Sequence, residues 1–151
     1  MRKVAGLEYD TRGDGEPVLF IHGAIIADSF APVMEEPTLA GYRLIRYRRR
    51  GYGRSDAPSD PPTIEEHARD ARALLDGLDA DRAHVVAHSG GGPIALQLAI
   101  DSPQVVRSLV LIEPALQMDA RRLRWSFGTP RYVQLSRARA AGAALPKATT
   151  R

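Results

Sequence analysis

Four short apolar runs, Val18 to Ile21, Leu44 to Tyr47, Val85 to Ala87 and Leu109 to Ile112, recur along the chain with longer polar stretches between them. Runs of this kind, without strict alternation, suit strands buried on both faces. Between the second and third, Ile64, Ala68, Ala71, Leu74, Leu75 and Leu78 recur at spacings of three and four, which predicts a helix with one buried stripe. Glu65, Arg69, Arg72 and Asp76 then face water. Ser59-Asp60-Pro61-Pro62 stops regular structure ahead of it, and Thr63 with Glu66 three residues on forms a capping-box signal. Gly77 and Asp79 weaken its end. Phe30, Val33 and Met34, with Pro32 in an early turn, predict a short helix over Asp28 to Leu39. Val4 to Tyr9 predicts one more strand, led by the turn cluster Arg12 to Pro17 into Val18 to Ile21, with which it is expected to pair. Strands alternating with helices predict an α/β fold with a mostly parallel, doubly wound sheet.

One stretch carries chemistry as well as structure. Ala83 to Ala99 reads as an apolar strand, a sharp turn with a Ser among small residues, and an apolar helix. A strand that reverses so tightly needs small residues two before and two after the apex, and Ala87 and Gly91 meet that need. Ser89 would then be held in a strained conformation at a helix N-terminus, where developing negative charge is favoured. That is the geometry of a nucleophile.

Ala87-His88-Ser89-Gly90-Gly91 resembles the G-x-S-x-G elbow of the α/β-hydrolase family, with Ala in place of the first Gly. Pro17 to Ala24, an apolar strand ending in His22-Gly23, is similar to the family's oxyanion strand and loop. Arg48-Arg49-Arg50-Gly51-Tyr52-Gly53-Arg54-Ser55 is similar to its D-x-R-G-x-G-x-S loop, except that Arg48 stands where Asp is usual. The resemblance implies Ser89 as nucleophile, the backbone N–H groups of Gly90 and Ala24 as oxyanion donors, and Glu113 at a strand exit as a possible acid. It also implies a small-molecule ester or acyl substrate and no metal or cofactor. The resemblance covers residues 4 to 116.

Composition bounds the alternatives. With 44% hydrophobic and 26% charged residues the chain belongs to the globular class, and the absence of Cys removes disulfides, thiolate metal sites and a thiol nucleophile. No apolar run approaches membrane-spanning length and no leader-like h-region follows the basic start, so a cytoplasmic location without membrane contact is expected. The net charge is +3, yet residues 1 to 116 hold 13 basic against 17 acidic residues and residues 117 to 151 hold 8 against 1. The body is acidic. A nucleic-acid surface would have to come from the tail alone and is not expected. Arg48-Arg49-Arg50 reads as a solvated loop rather than an anion site.

The weak point of the enzyme reading is the base. In the family a triad His follows the nucleophile, whereas the four histidines here, His22, His67, His84 and His88, all precede Ser89. Each has a structural reading: His22 in the oxyanion loop, His67 on a helix, His84 at a strand start, and His88 turned away from its neighbour. After Leu116 the sequence becomes a basic, Arg- and Ala-rich tail, expected to be irregular, where the family would continue with a lid and further strands. The expectation is therefore a C-terminally incomplete α/β-hydrolase domain over 1 to 116, truncated before its catalytic His. The alternative is a non-catalytic fragment or a small-molecule or partner-binding module.

Overall fold

The structure is a computed structural model that describes residues 2–116 and the backbone of Val133–Leu135. Its elements are β1 (Arg2–Val4), β2 (Leu7–Arg12), β3 (Glu16–Ile21), β4 (Tyr42–Tyr47), α1 (Ile64–Asp76), β5 (Ala83–His88), α2 (Gly91–Asp101), β6 (Val106–Ile112) and β7 (Val133–Leu135). They form one sheet in the order β1-β2-β4-β3-β5-β6-β7. The four central strands β4, β3, β5 and β6 run parallel, as the apolar runs predict. At the edges, β1, β2 and β7 are antiparallel to their neighbours.

Alternate residues of β3 point to opposite sides of the sheet and find different partners. Leu19 and Ile21 join Ala68, Ala71, Leu74 and Leu75 of α1 and Ile94, Ala95 and Leu98 of α2 in the larger core cluster. Val18 and Phe20 join Phe30, Met34 and Leu44 on the other side. Both faces are therefore covered. Burying a leucine such as Leu74 or Leu75, both fully enclosed, contributes about 2 kcal/mol. The connection from β3 to β4 moves one way across the sheet, while those from β4 to β5 and β5 to β6 move the other way. Because such crossovers are right-handed, α1 and α2 share one side and the β3–β4 connection takes the opposite one. The strand order consequently reverses between β3 and β5. Their C-terminal ends at this reversal are the usual place for a ligand site in an open α/β sheet.

Local signals were honoured where they were strong. The Thr63 Oγ1 accepts from the Glu66 N–H at 3.1 Å, and the Glu66 carboxylate accepts from the Thr63 N–H at 2.7 Å, so the capping box is complete. Three expectations need correction. Val4 to Tyr9 is not one strand: Ala5 and Gly6 take φ of 48° and 78°, making a tight hairpin turn between β1 and β2. The second strand does not pair with β3 but with β4, Tyr9 opposite Tyr47. The turn from β2 to β3 passes over the start of β4, where a Cβ at Gly13 or Gly15 would lie 2.2 Å from the Tyr42 carbonyl oxygen or 2.0 Å from that of Gly41. Glycine makes that crossing possible. Finally, Asp28 to Leu39 forms two short 3-10 turns, Pro32–Glu35 and Pro37–Leu39, rather than a helix. Pro37 has no N–H to donate and forces Glu36 into extended backbone, with ψ at 118°.

The reading of 117–151 as an irregular basic tail falls outside the described residues except at Val133–Leu135. There the backbone pairs antiparallel with β6, Val133 opposite Leu111. The pattern of hydrophobic positions gave no sign of that strand.

Candidate active site

Ser89 sits at the reversal between β5 and α2 with φ at 50°, a left-handed conformation that costs a non-glycine residue energy and so has to be held in place. The neighbouring strand holds it. The Ser89 N–H donates to the Ile112 carbonyl at 3.0 Å, and the Ser89 carbonyl accepts from the N–H groups of Gly92 and Ala115, each at 2.9 Å. The small residues flanking the apex are required by contact: a Cβ at Gly91 would lie 2.3 Å from the Ile21 carbonyl oxygen, and one at Gly92 2.5 Å from Pro114. Ala87, in the place of the first glycine, is fully buried without a positive φ, so its methyl group is accommodated.

The loop after β3 lies against this apex. A Cβ at Gly23 would fall 3.1 Å from Ser89 Cβ and 3.3 Å from His88 Nδ1, while one at Gly90 would fall 3.5 Å from the Ala24 nitrogen. The backbones of Ala24 and Gly90 thus meet beside Ser89. Among the described residues neither of these two N–H groups has a hydrogen-bond acceptor. Gly90 is also the N-cap of α2 and has no side-chain cap, so the positive end of that helix opens into the same space.

His22 is enclosed at 1% exposure, and both its ring nitrogens are used. Nε2 accepts from the Arg49 N–H at 3.0 Å, and Nδ1 donates to the Gly23 carbonyl at 2.7 Å. Burial holds its pKa down to about 4, against the Gly23 carbonyl bond, which favours the proton. It is a neutral loop support, as the sequence implied. His67 is buried on α1, with its pKa lowered by desolvation. His84 bonds Ser108 Oγ at 2.6 Å near the start of β5, the opposite end of the strand from Ser89. No hydrogen bond joins His88 to Ser89 among the described residues. Glu113 follows β6 with φ at 45° and an exposed side chain that makes no hydrogen bond among those residues.

The arginine run corrects the solvated-loop reading. Arg48 donates to Glu8 at 2.8 Å and to Asp28 at 2.7 Å, and Arg50 donates to Asp70 through both Nε and Nη2. Arg49 is only 6% exposed; its Nη2 donates to the Gly23 carbonyl at 2.9 Å and to Tyr52 Oη at 3.3 Å. Tyr52 Oη in turn donates to the Ala24 carbonyl at 2.6 Å. Where a loop acid would be usual, the charge is exchanged: Arg48 occupies the position and the carboxylate comes from Glu8 on β2. The Arg54 N–H first, then Arg48 and the Arg54 side chain, hold the Glu8 pKa down to about 2. Neither Arg49 nor Tyr52 was singled out in the sequence as a site residue, although both lie in the Gly-rich motif that follows β4.

Comparison with known proteins shows the family to which the chain belongs. The family model described as the alpha/beta hydrolase fold matches residues 16–146. A protein of Variovorax paradoxus (strain S110) named as a carbamate hydrolase, RutD, is 42% identical over 110 residues, covering 70% of this chain and 41% of its own length. A non-heme chloroperoxidase of Streptomyces lividans is 41% identical over 101 residues, covering 66% of this chain and 37% of its own. Among solved structures, Est816, described as an N-acyl homoserine lactone degrading enzyme, superposes with a TM-score of 0.67 at 37% identity, covering 72% of this chain and 42% of that one. The chain spans about two fifths of the length of the curated relatives it matches.

Proposed function

Since the chain belongs to the alpha/beta hydrolase fold family, we propose that it carries the nucleophile and oxyanion half of a serine acyl-hydrolase site. The substrate class is esters or related acyl compounds, in keeping with relatives named for carbamate and lactone substrates. Ser89 Oγ attacks the acyl carbonyl. The N–H groups of Ala24 and Gly90 receive the oxyanion, each such donor being worth about 10²–10³ in rate. The observation that carries this reading is the convergence of those two unengaged donors beside a serine held at φ 50°. Neither a metal nor a cofactor is required by this chemistry.

No histidine of the chain stands ready as the base. His22 has spent both nitrogens on the loop, and His84 lies at the other end of β5. Glu113 borders the elbow, one residue past the carbonyl that binds the Ser89 N–H, and would act as an acid only through a histidine it could orient. That gap favours a second reading for these 151 residues taken alone: a module that binds an acyl ligand without turnover.

An exogenous base tests the proposal. A fluorophosphonate transfers its phosphonyl group to Ser89 Oγ as fluoride leaves, and added imidazole takes the hydroxyl proton. Mass spectrometry is expected to find the label on Ser89, faster with imidazole, and none at that position in Ser89→Ala. Labelling spread evenly over other serines, or absent from Ser89 with imidazole present, would overturn it.

A further inference from the structure

We infer that Arg49 is a positioning residue for the oxyanion site, setting the direction of the Ala24 N–H from behind the loop. The inference rests on the proposed oxyanion role of Ala24. Arg49 differs from its neighbours in the run: Arg48 and Arg50 face carboxylates, whereas among the described residues no carboxylate lies within ion-pair distance of Arg49. A guanidinium that is 6% exposed and lacks a counter-charge is costly, and its partners here are a backbone carbonyl and a phenol.

The carbonyl it binds is the informative one. Gly23 O belongs to the same planar trans peptide as the Ala24 N–H, and the two dipole ends point in opposite directions. Two donors, Arg49 Nη2 at 2.9 Å and His22 Nδ1 at 2.7 Å, fix that oxygen on the interior side. The Ala24 N–H is thereby turned toward Gly90 and Ser89. Arg49 also works through its backbone, because its N–H binds His22 Nε2 and so places the imidazole proton on Nδ1, where it reaches the same carbonyl. The next peptide is held in the same manner, with Tyr52 Oη donating to the Ala24 carbonyl and the Arg49 guanidinium stacked 5.0 Å from the Tyr52 ring centroid. A cation donating to Gly23 O polarises the peptide, which makes the Ala24 N–H a stronger donor.

Nuclear magnetic resonance of the 151-residue chain tests this with sodium acetate as the oxyanion probe. In the unsubstituted chain acetate is expected to shift the Ala24 and Gly90 amides together. Arg49→Met should bind acetate at least about tenfold more weakly and shift the Gly23 carbonyl carbon and Ala24 nitrogen upfield, since a charge-assisted hydrogen bond is lost. Arg49→Lys, which keeps the charge and one reaching donor, should recover part of both effects. The His22 ring signals act as the internal control: the backbone N–H at position 49 survives substitution, so His22 should remain neutral with its proton on Nδ1. Unchanged acetate affinity in Arg49→Met, with that His22 signature intact, would overturn the inference alone. Acetate shifting neither amide in the unsubstituted chain would overturn both the inference and the oxyanion reading beneath it.

Discussion

The backbone N–H of Arg49 donates to Nε2 of His22 at 3.0 Å, across a separation that joins the loop after β4 to the loop after β3. Protonating His22 would set two N–H groups against each other at that contact, and burial adds to the penalty. The folded chain therefore binds this proton only near pH 4, while the unfolded chain binds it near 6.5. The sign follows: the contribution is complete above about pH 6.5 and is lost as the pH falls toward 4, by on the order of 3 kcal/mol. Urea midpoints are expected to fall steadily across that window. A flat profile between them would contradict the enclosed, neutral His22.

The elbow makes a steric prediction at Gly91. An added methyl group there meets the Ile21 carbonyl oxygen at 2.3 Å, a backbone atom that cannot swing aside without disturbing β3. Gly91→Ala is expected to cost about 2–4 kcal/mol, by the mechanism of overpacking against a fixed neighbour. Equilibrium denaturation measures it. A loss below about 0.5 kcal/mol would show that α2 can retreat from β3.

Ser89 makes the opposite prediction. Its φ of 50° is strained for serine and free of strain for glycine, so Ser89→Gly should raise stability by about 1 kcal/mol while removing the hydroxyl. Ser89→Ala keeps the strain and should leave stability nearly unchanged. If both variants melt alike, the strain at the apex is not stored there.

What the sequence disclosed and what it withheld divide by range. The elbow and the capping box at Thr63 and Glu66 rest on residues close together in the chain, where turn sterics leave few options, and the parallel sheet followed from apolar runs alternating with helical periodicity. The pairing of β2 with β4 was not legible, because the deciding contacts are between Gly13 or Gly15 and the backbone of Gly41 and Tyr42. The helix expected over Asp28 to Leu39 failed on Pro37, whose effect outweighed the apolar spacing of Phe30, Val33 and Met34. The arginine run read as solvated because its partners, Glu8, Gly23, Asp28 and Asp70, are scattered over the chain and meet only once the sheet has formed.

Glu8 shows what that scattering conceals. Its carboxylate is buried and receives Arg48 at 2.8 Å, the Arg54 N–H at 2.9 Å and Arg54 Nε at 3.0 Å. Glu8→Gln leaves Arg48 with Asp28 as its remaining counter-charge and turns the Arg48 and Arg54 donors toward a neutral amide, and is expected to destabilise by about 2 kcal/mol. Because the folded pKa lies near 2 and the unfolded near 4.5, the contribution of Glu8 is present above about pH 4.5 and is lost as the pH falls toward 2. A difference between the two chains that stays constant from neutral pH down to about pH 2 would contradict this account of Glu8.

The central claim is that these 151 residues hold a serine nucleophile and its oxyanion donors without a base to activate them. Steady-state hydrolysis of p-nitrophenyl acetate by the 151-residue chain tests that most directly. Once the base is missing, what remains in a serine hydrolase is the roughly 10³–10⁴-fold enhancement from binding and the oxyanion hole, and the nucleophile itself ceases to matter. The account predicts residual hydrolysis that Ser89→Ala changes little. Turnover well above a heat-treated control, abolished both by Ser89→Ala and by His88→Ala, would contradict it and establish His88 as the base.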